Sequence, residues 1–510
     1  MKVRVFSRAL AVTAVTALGA AGLAGAAHAS AVPSTARAAV KAAGAVPYDF
    51  NGDGYPDLAL GDPYGTVGSV TTAGFVTIVY GSSNGLNTAD HTVISQSTAG
   101  VPGTPEAADH FGYSLTSLDY DEDGFADLLV GAPDEDTTDG ANAGSETILW
   151  GSASGLNGTG SDAISEPGSP GAQHHFGYSL TAADFDGDGH TDWVDTAPGD
   201  ALFYPFHNPG PALTARKAGQ SGRVFAPKAQ PEHARGGKAN KAAAADDDAV
   251  TSFITAAGDI DGDGKPDLVL GWQDAEAPTS GFDVWRNFTP DDDPSFAGEA
   301  LTRVDSLAVG DFDGDGIGDI AAGGADESDG VGGHVTVYKG DADVTLGTTS
   351  TITQNSTGLP GSAVAGDRFG YSVAAGDVNK DGKSDLAIGV PLRTVSNLAH
   401  AGEAIVLYGA DAGLSGTGSQ VVSQDTAGVP GAAEAEDEAG WTVNLFNPNA
   451  DGYFDLIAGA PKENGTDGAV SVLPGTAAGL TATGSATWGA GTLGTSGKDA
   501  QVGVRQGRIG

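Results

Sequence analysis

One acidic phrase returns seven times along this chain of 510 residues, and no other feature constrains its fold so tightly. It reads DFNGDGYPDLALGDP from Asp49, DYDEDGFADLLVGAP from Asp119, DFDGDGHTDWVDTAP from Asp184 and DIDGDGKPDLVLG from Asp259. Two more copies are DFDGDGIGDIAAG from Asp311 and DVNKDGKSDLAIGVP from Asp377, and a degraded one, NPNADGYFDLIAGAP, starts at Asn447. Their starts lie 52 to 75 residues apart. That period is too long for helix-pair repeats and suits a four-stranded blade with generous loops.

Other phrases keep step. Phe-Gly-Tyr-Ser occurs at 111–114, 176–179 and 369–372, about eight residues ahead of the acidic loop, with Ala439-Gly440-Trp441-Thr442 as a worn copy. Downstream come AGFVTIVYGSSNGL from Ala73, AGSETILWGSASGL from Ala143, AGEAIVLYGADAGL from Ala401 and GAVSVLPGTAAGL from Gly468. Each is an apolar, β-branched run closed by a glycine turn, the mark of a strand and its hairpin. The prediction is an all-β fold of seven four-stranded blades, a β-propeller, over residues 45–510. The tail KDAQVGVRQGRIG from Lys498 stands where an eighth repeat would place its Phe-Gly strand, so it is predicted to complete the first blade and close the ring.

The loop D-x-[DN]-x-D-G-x-x-D offers side-chain oxygens at positions one, three, five and nine and a carbonyl at seven, and its glycine permits the bend that wraps an ion. Hard oxygen donors select Ca²⁺ over softer metals. The predicted ligands are Asp49, Asn51, Asp53 and Asp57; Asp119, Asp121, Asp123 and Asp127; Asp184, Asp186, Asp188 and Asp192. The remaining loops supply Asp259, Asp261, Asp263 and Asp267; Asp311, Asp313, Asp315 and Asp319; Asp377, Asn379, Asp381 and Asp385. The seventh loop keeps only Asp451 and Asp455, and weak binding is expected there. An EF-hand is excluded, because its bidentate Glu at position 12 is replaced by Leu60, Val130, Asp195, Leu270, Ala322 or Ile388 and an apolar run replaces the exit helix.

Charge and cysteine usage fit this reading. With 24 Lys and Arg against 66 Asp and Glu the formal net charge is −42, which repels a phosphate backbone and argues against nucleic acid. There is no cysteine, so no disulfide pins the loops. Residues 1–29 carry a basic start, an apolar stretch and Ala27-His28-Ala29, which reads as an export signal peptide. Residues 30–44 read as a disordered lead-in, and 213–248, basic and Gly/Ala-rich, as a mobile insertion in the third repeat. No second segment approaches the length of a membrane span. The expectation is a secreted, soluble monomer.

The order F-G-Y-S, D-x-D-x-D-G-x-x-D, G-A-P (Gly131-Ala132-Pro133 and Gly459-Ala460-Pro461, with variants Gly61-Asp62-Pro63 and Gly389-Val390-Pro391) resembles the FG-GAP repeats of integrin α propellers. The resemblance implies seven blades, Ca²⁺ in hairpin loops on one face and partner binding on the other. The third to fifth repeats depart from it: Ala197-Pro198 lacks its glycine, Gly271-Trp272 and Gly323-Gly324 lack the proline, and the fourth and fifth lack Phe-Gly.

Catalytic motifs are weak. Gly81-Ser82-Ser83-Asn84-Gly85 matches a G-x-S-x-G elbow, but its siblings carry Ala153, Asp411 and Ala477 in place of Ser83, which makes it a hairpin turn. His174-His175 reads as a solvated pair. The expectation is therefore a non-enzymatic module that binds an extracellular protein. The alternatives are a calcium-dependent lectin using Trp150, Trp193, Trp272, Trp285, Trp441 or Trp488, and a hydrolase with a site between blades.

Overall fold

The computed structural model describes residues 45–165, 172–197, 200–204, 250–274, 280–286, 296–297, 303–325, 332–346, 349–495 and 500–507. The expected signal peptide, the lead-in and the 213–248 insertion lie outside the described residues.

Every repeat folds into one antiparallel sheet in which sequence neighbours pair. In the second repeat the strands are Ser114–Leu118, Asp127–Ala132, Ser145–Leu149 and Asp162–Ile164. The acidic loop joins the first two, and Ser114 faces Gly131 across the ladder. Burial follows strand order. Asp127–Ala132 and Ser145–Leu149 are buried throughout, as strands packed on both faces must be, while the outermost strand is largely exposed.

The expectation of seven equal blades needs correction. The described residues give six complete four-stranded blades, whereas the third repeat gives a sheet of three strands, Ser179–Ala183, Asp192–Ala197 and Asp200–Tyr204. The tail behaves as the next repeat would: Arg505–Gln506 pairs with Leu60 and Gly61 and makes the first blade four-stranded. Just before it, Val502 bridges Gly468 in parallel, as Phe176 bridges Gly144 and Phe369 bridges Gly333.

The two halves of the repeated motif meet across each blade joint. The glycine of Phe-Gly adopts positive φ at Gly112 (91°), Gly177 (90°), Gly370 (89°), Gly440 (83°) and Gly503 (90°), a region that side chains with a Cβ rarely enter. Its carbonyl then points at the first glycine of the preceding repeat's G-A-P. A Cβ at Gly61, Gly131, Gly323, Gly389 or Gly459 would lie 2.0 to 2.2 Å from the carbonyl oxygen of Gly112, Gly177, Gly370, Gly440 or Gly503 respectively. The third repeat's missing glycine follows from the same contact. Thr196 faces Ser179 where a glycine would otherwise stand, and the next repeat's inner strand, Val250–Gly258, has no Phe-Gly to approach it. The fifth repeat keeps Gly323 because Phe369-Gly370 follows.

Gly131→Ala should therefore destabilise the protein by about 3 kcal/mol, the upper end for overpacking, because a backbone carbonyl cannot step aside. Thr196→Ala should cost less than half as much. Urea denaturation of the two variants against the parent checks both.

Candidate metal centres

The acidic loops are wound by their own side chains. In the second loop Asp119 Oδ1 accepts from Asp123 N at 3.1 Å and Oδ2 from Gly124 N at 3.2 Å, Asp121 Oδ1 from Asp123 N at 3.2 Å, and Asp123 Oδ1 from Phe125 N at 3.1 Å. The first, fourth, fifth and sixth loops repeat this ladder, with Asn51 or Asn379 standing in at position three. The residue at position two anchors the loop from below: Phe50, Phe185, Ile260, Phe312 and Val378 have no exposed surface.

Position nine does a different job from the other acids. Asp57 Oδ2 accepts from Phe50 N at 2.9 Å and Oδ1 from Gly81 N at 2.8 Å, tying the loop to the turn after the third strand. Asp127 (Tyr120 N and Gly151 N), Asp319 (Phe312 N and Gly340 N) and Asp385 (Val378 N and Gly409 N) do the same. All are buried. Burial pushes the Asp57 and Asp127 carboxyls up to about 8, Asp385 and Asp455 to about 7 and Asp319 to about 6; neighbouring loop carboxylates push the same way and the backbone donors push back. An added cation would remove that penalty.

Four loops bring three carboxylates within 4.8 Å of one another: Asp119, Asp121 and Asp127; Asp184, Asp186 and Asp192; Asp259, Asp261 and Asp263; Asp311, Asp313 and Asp315. These all-oxygen sets fit a hard cation. So does Asp184 Oδ1, a buried oxygen with no hydrogen-bond partner. Asp123, Asp188, Asp267 and Asp319 stay outside their groups of three. The first and sixth loops form no such group, because Asn51 and Asn379 replace one acid. In the fifth loop Lys339 Nζ pairs with Asp313 and lies 2.8 Å from Asp315 Oδ2, an internal cation that competes for the same oxygens. The seventh loop has Lys380 Nζ on Asp451 O at 2.6 Å, and Asn447 Oδ1 is buried without a partner.

The loops also join one another. The carbonyl of the first Asp accepts from the next repeat's residue eight: Ala126 N to Asp49 O (3.2 Å), Gly318 N to Asp259 O (2.6 Å), Ser384 N to Asp311 O (2.7 Å) and Phe454 N to Asp377 O (3.0 Å). They therefore lie side by side at one end of the inner strands.

At the other end, the third letter of Phe-Gly-Tyr-Ser, which the sequence reading left without a role, lines an axial cavity of about 400 Å³ with Tyr113, Tyr178, Tyr371 and Trp441. Arg505 stacks over Tyr113 at 4.4 Å, and its Nε is buried without a hydrogen-bond partner. The tail's repeat-like register was the available signal for it. Of the other tryptophans, Trp193, Trp272 and Trp488 are buried in blades. His175, partly exposed, is paired with a carboxylate: His110 Nδ1 and His175 Nδ1 lie 2.6 and 2.7 Å from the two oxygens of Asp134, which holds that carboxyl well below its usual range. The G-x-S-x-G segment is a turn in which Gly85 N donates to Ser82 O at 2.8 Å, as Gly155 N does to Ser152 O.

Comparison with known proteins decides the repeat type: the model for "FG-GAP repeat" matches residues 42–79, 111–146 and 369–407. The chain carries FG-GAP repeats. Integrin alpha pat-2 of Caenorhabditis elegans is 34% identical over 188 residues, 34% of this chain and 14% of that protein. Phosphatidylinositol-glycan-specific phospholipase D of Rattus norvegicus is 33% identical over 151 residues, 29% of this chain and 17% of that protein. The chain thus spans under a fifth of the length of these relatives. Among solved structures, an Agrocybe aegerita lectin recognising non-reducing terminal N-acetylglucosamine aligns over 89% of this chain and 94% of that chain, with a TM-score of 0.44 and 13% identity.

Asp127→Ala should destabilise the FG-GAP chain by about 3 kcal/mol in chelator, since it strands two buried backbone donors, and by more in calcium, since it also removes a member of the Asp119, Asp121 and Asp127 group. Asp121→Ala, which removes an exposed member of the same group, should destabilise chiefly in calcium. Thermal melts in both conditions separate the two roles.

Proposed function

We propose that this chain is an exported FG-GAP propeller, loaded with about six calcium ions, that binds an extracellular partner and is not itself a catalyst. The ions would sit in the six intact acidic loops, with the seventh weak and the fifth weakened by Lys339. Bound Ca²⁺ supplies positive charge to carboxylates that are otherwise crowded and desolvated. The chain's own residues do the rest: positions one and three, with position nine in the second and third loops and position five in the fourth and fifth, set the donors, and position nine also ties the loop to the turn after the third strand.

The observation that carries the binding role is the axial cavity. Its aromatic wall of Tyr113, Tyr178, Tyr371 and Trp441 stands at the end away from the acidic loops, with Arg303 and Arg505 beside it. Aromatic faces flanked by guanidinium groups suit protein side chains and sugar rings. Export rests on the pattern of residues 1–29, and N-terminal sequencing of the mature chain should start at Ser30. Among the described residues no helix is long and apolar enough to cross a membrane.

Each occupied site should add about 2.7 kcal/mol at free calcium a hundredfold above its Kd, so excess chelator should lower the Tm strongly. An unchanged melt would remove the calcium reading. Crosslinked capture from the surface of the producing cells, alongside a glycan array, should give a specific hit that Trp441→Ala loses without a change in Tm. A hit that survives this variant would place binding elsewhere.

A further inference from the structure

Three repeats share a second phrase, at the outer edge of the ring: SQSTAGVPG from Ser95, TQNSTGLPG from Thr353 and SQDTAGVPG from Ser423. Thirteen residues after each Gln comes a buried Asp: Asp109, Asp367 and Asp437. Thirty-nine residues after each Gln, in the next blade, comes a residue whose charge differs between copies: Glu135, Arg393 and Glu463. The three side chains meet at the blade joint, at the end opposite the acidic loops.

In one copy the joint holds its own cation. Arg393 Nη1 donates to Asp367 Oδ2 at 2.5 Å and to Ser362 O at 2.9 Å, and its Nε lies 3.7 Å from Glu403 Oε1. Gln354 sits alongside, with Nε2 3.5 Å from Glu403 Oε1 and its own oxygen unpartnered.

In the other two copies a carboxylate stands where the guanidinium stands. Glu135 Oε2 accepts from Gln96 Nε2 at 2.6 Å, and Glu463 Oε2 from Gln424 Nε2 at 2.6 Å. Asp109 and Asp437, each 2% exposed, accept with one oxygen from a local backbone amide, Glu106 N or Glu434 N, and Asp437 also hydrogen-bonds Glu463. The amide oxygens Gln96 Oε1 and Gln424 Oε1 have no hydrogen-bond partner, although these side chains are only 7% and 5% exposed. The nearest basic groups are engaged elsewhere: His110 on Asp134 at 2.6 Å, Lys462 on Glu438 at 2.7 Å. A buried Asp, a second carboxyl group against it and an orphaned amide oxygen would be strongly unfavourable together without a proton or a cation.

We propose that each of these two cradles, Gln96–Asp109–Glu135 and Gln424–Asp437–Glu463, binds a calcium ion in the place that the Arg393 guanidinium fills in the sixth repeat. The donors are hard oxygens: the Glu carboxylate, the second Asp oxygen and, after a half-turn of the amide, Gln Oε1. Each ion ties the outer strand of one blade to the second strand of the next, in a chain that has no disulfide to do so.

The test counts calcium bound per full-length chain by equilibrium dialysis and elemental analysis. Glu135→Arg/Glu463→Arg should bind two ions fewer than the parent and lose less Tm in chelator, because the arginines take over the tie. Arg393→Glu should bind one ion more. The loops are the same in every variant, so these differences do not depend on how many loops are filled. If the double-arginine variant does not fold, Glu135→Gln/Glu463→Gln gives the same comparison. An unchanged count in the double-glutamine and Arg393→Glu variants overturns the proposal and would leave a proton shared within each carboxyl pair.

Discussion

The ring depends on one close contact, the carbonyl of the Phe-Gly glycine lying against the first glycine of the preceding repeat's G-A-P. No side chain fits there, and the 2.0 to 2.2 Å that a Cβ would find leaves no room for adjustment. The contact sets the distance between neighbouring blades, and the positive φ of Gly112 and its equivalents sets the angle at which each inner strand enters. The tail obeys the same rule through Gly503 and Gly459, which is how a two-residue strand, Arg505–Gln506, can close the first blade.

A second constraint acts at the other end of the strands. The acid at position nine is buried and joins the loop to the turn after the third strand, while Asp49, Asp259, Asp311 and Asp377 each offer their carbonyl to the next loop. Loop order and blade spacing are therefore linked by backbone hydrogen bonds. Charge neutralisation in one loop bears on the joint beside it, which gives the acid-rich composition a structural purpose.

Much of this was legible in the sequence because the repeats are in phase. The strand, loop, strand order and the closing role of the tail follow from counting residues between Phe-Gly, the acidic nonamer and G-A-P. Equal blades were expected, and the third repeat differs: Thr196 replaces a glycine that the fourth repeat, lacking Phe-Gly, no longer demands. Spacing also treated positions one, three, five and nine alike. It could not separate Asp127, buried with its oxygens each on a backbone amide, from Asp123, half-buried and bonded to Phe125 N within its own loop, because that difference arises only when the third strand's turn folds back onto the loop. Lys339 was invisible for a similar reason, lying 24 residues beyond Asp315 and meeting it only through strand pairing.

The central claim, that the acidic loops and their ions hold the blade joints, is tested most directly by native-state hydrogen exchange with and without chelator. The amides to watch are Ala126, Ser384 and Phe454, which cross from one loop to the next, and the inner-strand amides behind them. The account predicts that removing calcium lowers protection at all of these together. Faster exchange confined to the loop amides of Gly54, Gly124 and Gly382, with the crossing amides and inner strands unchanged, would contradict it.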